Sequence, residues 1–187
     1  MKGIAMRARL LLLCLVPLVS CVAVTKEIRE EQPERSARAF DILKSLAGKW
    51  HGTSTSGDKQ FPVDVTYEVA SGGTVVMERL FPASEHEMIS MYHRDGAKLV
   101  MTHYCSGGNQ PRMDLVGFGP LLHDSEKNQE FVLSFRYRDA TNHVEPELVM
   151  HDMRLVTHDK NRFSSSWTAF VDGKADHTAN FDFTRVH

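Results

Sequence analysis

A chain of 187 residues is long enough for one domain with a sizeable core, and its 42% hydrophobic and 25% charged residues exclude a disordered or fibrous polypeptide. The formal charge is −2 with acidic and basic residues interspersed, which leaves no basic stripe to neutralise phosphates, so no nucleic-acid partner is expected.

The chain begins with Lys2, Arg7 and Arg9 and then an apolar run from Leu10 to Leu18, too short to span a bilayer comfortably. That pattern predicts an export signal over residues 1–20. Its end, Leu18-Val19-Ser20-Cys21, resembles the bacterial lipoprotein signal. The resemblance implies a diacylated Cys21 as the new N-terminus, two acyl chains anchoring stably where one would not. A plain secretory signal or an N-terminal helix is the alternative. Val22, rather than Asp, follows the cysteine, which by the same resemblance implies an envelope protein on the periplasmic face of the outer membrane. With Cys14 removed and Cys21 carrying lipid, Cys105 is the thiol left in the mature domain, so no internal disulfide is expected there.

Residues 21–36 are polar and charged (Lys26, Glu27, Arg29, Glu30, Glu31, Glu34, Arg35) and read as a solvated tether with little order. The domain is expected over 37–187. It opens with one short helix, Ala37 to Ala47, in which Ala39, Phe40, Leu43, Leu46 and Ala47 recur at helical spacing, with Ser36 as N-cap and Gly48 past the end. Beyond Gly48 the period changes to two, and turn signals such as Ser56-Gly57-Asp58, Ser71-Gly72-Gly73, Asp95-Gly96 and Asp172-Gly173 divide the rest into roughly nine or ten strands.

Alternation assigns the faces. Phe131, Leu133, Phe135 and Tyr137 share one side of their strand, as do Phe163, Ser165, Trp167 and Ala169, and His177, Ala179, Phe181 and Phe183; these faces point inward. Meander order with short connections predicts an all-β fold, a single antiparallel up-and-down β-barrel of about ten strands preceded by the helix, wide enough to hold a ligand.

The run Leu46-Ala47-Gly48-Lys49-Trp50-His51-Gly52, a helix leading into Gly-x-Trp at the first strand, resembles the start of lipocalin-like barrels, including the fatty-acid-binding and nitrobindin groups. Thr102-His103-Tyr104-Cys105 with Gly108-Asn109-Gln110-Pro111-Arg112, and the closing Phe181-Asp182-Phe183-Thr184-Arg185, resemble a family of bacterial exported proteins with no known activity. These resemblances imply a barrel that takes an apolar ligand and, by analogy with nitrobindin, a haem or gas site through His177.

The densest chemistry lies between Glu85 and Arg112. If Asp95-Gly96 is a two-residue hairpin turn, His86 falls opposite Cys105, Met88 opposite His103, Ser90 opposite Met101 and Tyr92 opposite Leu99, all on one face. His86, His103 and Cys105 then stand together inside the barrel mouth. Two imidazoles and a thiolate suit a metal with an open position, or a cysteine nucleophile activated by histidine with Asn109 or Gln110 as orienter. The plainer reading is a buried thiol and hydrogen-bonded pocket histidines. Asn109-Gln110-Pro111-Arg112 shapes a loop, or Arg112 pairs with a ligand carboxylate at the rim. His151 and Asp152, adjacent on a strand, are expected on opposite faces. The leading expectation is a lipid-anchored periplasmic barrel that binds or carries a small, largely apolar molecule through His86, Tyr92, His103, Cys105 and Arg112. An enzyme or metalloprotein built on His86, His103 and Cys105, and haem binding through His177, are the alternatives.

Overall fold

The structure, a computed structural model, describes residues 20–121 and 130–187, the side chains of 20–31 excepted. The two-residue alternation that begins at Gly48 produces ten strands: β1 (Gly48–Ser56), β2 (Lys59–Ala70), β3 (Val75–Leu80), β4 (Met88–Asp95), β5 (Lys98–Tyr104), β6 (Gln110–Pro120), β7 (Phe131–Thr141), β8 (Val149–Asp159), β9 (Arg162–Val171) and β10 (Lys174–Arg185). Each pairs antiparallel with its sequence neighbours, and β1 pairs with β10, so the sheet closes and no strand edge is left. Closure brings β1 and β10 close together at Gly52, where an added Cβ would lie 1.9 Å from the Asp182 carbonyl oxygen. Any side chain there would force the seam apart.

The helix is longer than its apolar stripe predicts. Helix α1 spans Ser20–Ser45 and contains Pro33, so the backbone of the expected tether is helical. Its Lys, Glu and Arg residues are good helix formers, a propensity that the absence of an apolar face conceals. Its C-terminal part docks: Ala39, Phe40 and Leu43, with Leu46 just past the helix, are buried in the same cluster as Trp50, Tyr67 and Leu99. Ser36 is not an N-cap but lies inside the helix, its hydroxyl donating to the Ala97 carbonyl at 2.8 Å. The expected signal lies outside the described residues except for Ser20, as does the Cys21 side chain. Among the described residues no helix is long and apolar enough to cross a membrane.

Arg185 ties the helix to the barrel. Its guanidinium donates to the carbonyls of Lys160 at 2.9 Å, Ala47 at 2.7 Å and Ser45 at 2.9 Å, and lies 4.1 Å above the Trp50 ring. Two of those carbonyls belong to the end of α1 and the residues just past it, where the last turn of a helix leaves acceptors without partners. The Trp50 indole N–H meets a third such carbonyl, Leu46, at 2.8 Å. The helix therefore closes one end of the barrel, and the loops 81–87, 105–109 and 142–148 surround the other.

The β4–β5 hairpin differs from the expected register. Its central residues are Gly96 and Ala97, with Asp95 opposite Lys98, so Ser90 faces His103, Tyr92 faces Met101 and Ile89 faces Tyr104. Gly96 has φ of 58°, and a turn with positive φ at its first central residue alone is the II′ form that suits hairpin twist. The slip moves every partner by two residues and so preserves which side chains face inward. Replacing Arg185 with Gln strands the helix-end carbonyls and removes the cation over Trp50. It is expected to cost about 2 kcal/mol, read as a lower urea midpoint at unchanged slope; an unchanged midpoint would show that the helix holds itself.

Candidate functional site

Inward alternation fills the barrel as predicted on β7, β9 and β10: Leu133, Phe135, Phe163, Trp167, Ala169, Phe181 and Phe183 are all buried. Away from the helix, toward the loops 81–87, 105–109 and 142–148, the lining becomes rich in methionine. Met101, Met113 and Met153 are buried, and Met88 and Met150 pack against the same cluster. Methionine is unbranched and polarisable, so this half of the interior can repack around a guest more readily than one built from rings.

A polar group sits within this lining. Glu78, on β3 between inward-facing Val76 and Leu80, is 4% exposed. Tyr92 donates to its Oε2 at 2.5 Å, and the hydroxyls of Ser90 and Tyr67 also help to stabilise the carboxylate. Burial pushes the Glu78 carboxyl up from its ordinary pKa, against the downward pull of those three hydroxyls. Burial, then the Glu78 charge, pushes both tyrosines well above theirs. Ser90 also meets His103 Nδ1 at 3.1 Å, so it joins the carboxyl to the imidazole.

His103 is 2% exposed, tilted against Trp167 with ring centroids 4.8 Å apart, and burial lowers its pKa to about 4. It is therefore a neutral imidazole at neutral pH. Its Nε2 is buried and has no partner among the described residues. Nε2 presents a lone pair when Ser90 accepts from Nδ1–H and a hydrogen when Ser90 donates to Nδ1. An orphaned polar atom in an apolar interior costs stability unless something satisfies it.

The other expected site residues are not gathered here. His86 lies exposed in the 81–87 loop, because β4 begins only at Met88. Cys105 lies past the end of β5, a free, partly exposed thiol whose Sγ accepts from the Gly107 amide at 3.4 Å. The expected His86–His103–Cys105 group is thus not assembled, and among the described residues no three His, Cys, Asp or Glu side chains come together as a metal site would need. Arg112 faces outward and grips Asp139 with two hydrogen bonds of 2.5 and 2.7 Å, which, ahead of charge attraction, raises its pKa. Tyr92 faces inward as expected, but its hydroxyl is committed to Glu78.

The Asn109-Gln110 segment shapes its loop. Asn109 donates to the Leu148 carbonyl at 2.8 Å and Gln110 to the Gly108 carbonyl at 2.6 Å. His177 has the inward parity of Ala179 and Phe181 but stands at the rim, its side chain 43% exposed and 2.7 Å from Asp176. A bulge between Met150 and Asp152 breaks the alternation expected at His151, which approaches Asp152 to 3.3 Å and stacks on Phe170 at 3.9 Å. Glu78 was readable in advance: it has the parity of Val76 and Leu80, so alternation alone sends its carboxyl inward.

No protein-family model and no curated protein matches the chain. Among solved structures, a protein of unknown function of the DUF3598 family from Nostoc punctiforme PCC 73102 is 11% identical over 77% of this chain and 48% of that one, with a TM-score of 0.45. The chain spans about half the length of that structure.

Between pH 6.5 and about 4 the unfolded chain protonates His103 while the folded one does not. This side chain therefore withdraws stability as pH falls through that window, of order 3 kcal/mol in all. Glu78, pushed upward, acts in the opposite sense, so the comparison that isolates His103 is with His103→Phe. The wild type is expected to lose stability relative to the variant between pH 7 and 4, and parallel unfolding curves would contradict a buried neutral imidazole.

Proposed function

We propose that the protein is a lipocalin-like carrier that binds a small, largely apolar molecule inside the half of the barrel away from the helix, where the methionines can repack around it, with one hydrogen-bonding group of the ligand meeting His103 Nε2. The observation that carries this reading is that nitrogen: buried, unpartnered and fixed by Ser90 amid Trp167 and the methionines. A site with one polar contact in an apolar surround orients an amphiphile by its head and holds it by its tail. The ligand class is then a chain or ring system ending in a hydroxyl, amide or carboxyl group.

The leader pattern supports the second half of the proposal, that the protein is exported and anchored in the envelope by lipid on Cys21, with the periplasmic face of the outer membrane as its place. A carrier tethered beside a membrane would exchange amphiphiles with it. The α1 backbone between Cys21 and the docked residues would then act as a helical stalk rather than a slack tether.

Native mass spectrometry of the protein purified without added ligand is expected to show a co-purifying organic mass. His103→Ala should lower its retention at least about tenfold, about 1.4 kcal/mol of binding. A wild type that carries nothing and does not enhance the fluorescence of an apolar naphthalene probe would overturn the carrier reading. For the anchor, Cys21→Ser is expected to move the protein from the membrane to the soluble fraction, and unchanged membrane retention would remove lipidation at that residue.

A further inference from the structure

On the outer wall, away from the barrel interior, His158 is held at both ring nitrogens: Nδ1 lies 2.9 Å from Glu130 Oε1 and Nε2 lies 2.9 Å from Ser164 Oγ. Glu130 is the residue opposite His158 when the Phe131–Thr157 pairing is continued by one, and Ser164, opposite Val156, lies diagonal to His158 on the same outer face. Glu130 stands just before β7, and a register shift between Thr157 and Asp159 displaces His158 from the regular ladder. Ser164 faces outward, since Phe163 and Ser165 on either side of it are buried. The histidine and glutamate side chains are 31% and 25% exposed, sheltered yet open to a small molecule.

The order of contacts decides what the group can do. A carboxylate on Nδ1 fixes the hydrogen there and leaves the Nε2 lone pair directed at the hydroxyl, which is the arrangement that activates a serine as a nucleophile. Space adjoins it on both sides. Glu130, His158, Arg162 and Asp182 line an open groove of about 680 Å³, and Ser164, Asn180 and Asp182 line a second hollow of about 220 Å³. Asp182 stands opposite Ser164 in the β9–β10 register and lines both.

We propose that Ser164, His158 and Glu130 form a hydrolytic site for small, uncharged carboxylic esters. Ser164 Oγ attacks the carbonyl carbon as its proton passes to His158 Nε2, and the C=O electron pair moves onto oxygen. Collapse breaks the bond to the alcohol oxygen, which leaves with the proton from Nε2. Water then attacks the acyl-serine, giving its proton to Nε2, and the second collapse releases the acid while the proton returns to Oγ. The balance is ester plus water to acid plus alcohol.

Arg162 is two residues from Ser164 on the same face and lines the groove, its Nε held by Asp159 Oδ2 at 3.0 Å; it supplies positive charge toward the developing oxyanion. Ser164 lies in a strand paired on both sides, so its backbone amide belongs to the sheet rather than to an oxyanion hole. That restricts the site to esters with good leaving groups, not amides. Asp182 and Glu130 disfavour anionic substrates.

The test is hydrolysis of p-nitrophenyl acetate by the whole protein, with intact-mass and peptide analysis after treatment with a fluorophosphonate. Ser164→Ala and His158→Ala are each expected to lower kcat/KM at least about a hundredfold, with unfolding midpoints checked alongside. The label is expected as a single adduct on Ser164, lost in His158→Ala. A wild type no faster than free imidazole at equal concentration, an unchanged rate in Ser164→Ala, or labelling elsewhere would overturn the proposal. Should the alanine variant fail to fold, the labelling position in the wild type decides.

Discussion

Arg185 stands where three parts of the chain meet: the end of α1, the β8–β9 turn and the first turn of sheet at Trp50. Ten strands closed on themselves have no edge, but they have two ends, and a barrel open at both would flood its apolar lining. By taking up the carbonyls at and just past the end of α1 while lying over the Trp50 ring, this one guanidinium lets a helix close one end. Phe40, Leu43 and Leu46 can then be buried against the barrel core. The two halves of the interior differ: the helix-closed half is packed with rings such as Trp50 and Phe163, whereas the half away from the helix is lined with methionines around a few polar atoms.

In that half the hydroxyls of Tyr67, Tyr92 and Ser90 converge on Glu78, and Ser90 passes the arrangement on to His103. A carboxyl and an imidazole buried in an apolar core disfavour their own charged forms, and evolution commonly replaces such groups unless they act. Here each hydroxyl of the group is used, and one ring nitrogen is left over. The Ser90–His103 contact also sets a condition on any guest, because the tautomer of His103 decides whether Nε2 accepts or donates. Binding inside the barrel and hydrolysis on the wall are separate propositions, carried by different strands and different side chains.

The fold was legible because two-residue alternation is a strong signal when one face is buried: roughly nine or ten strands in meander order could be read beyond Gly48, and the inward faces of β7, β9 and β10 from Phe131 to Phe183. Pairwise partners were less legible. Choosing Asp95-Gly96 over Gly96-Ala97 as the turn shifted each pair on β4 and β5 by two residues. It drew His86 and Cys105 into a constellation that the ends of the strands exclude. Arg112 was misplaced for a different reason: its outward side chain has a carboxylate, Asp139, that only the β6–β7 register supplies. The Glu130–His158–Ser164 group was not singled out in the sequence, because bringing the three together takes the β7–β8 and β8–β9 registers, which alternation within a strand does not supply. Glu78 did carry one, a carboxylate with the parity of two buried aliphatics.

The central claim is that His103 is a buried neutral imidazole with one nitrogen on Ser90 and the other free for a ligand. The most direct measurement is the nitrogen-15 NMR spectrum of the histidine rings across pH 3 to 8, with His103 assigned by substitution. The account predicts a ring that stays neutral down to about pH 4, and an Nε2 resonance that moves when an amphiphile enters while Nδ1 stays in place. A ring that titrates at the ordinary histidine value near 6.5, or an Nε2 indifferent to every apolar guest, would contradict it.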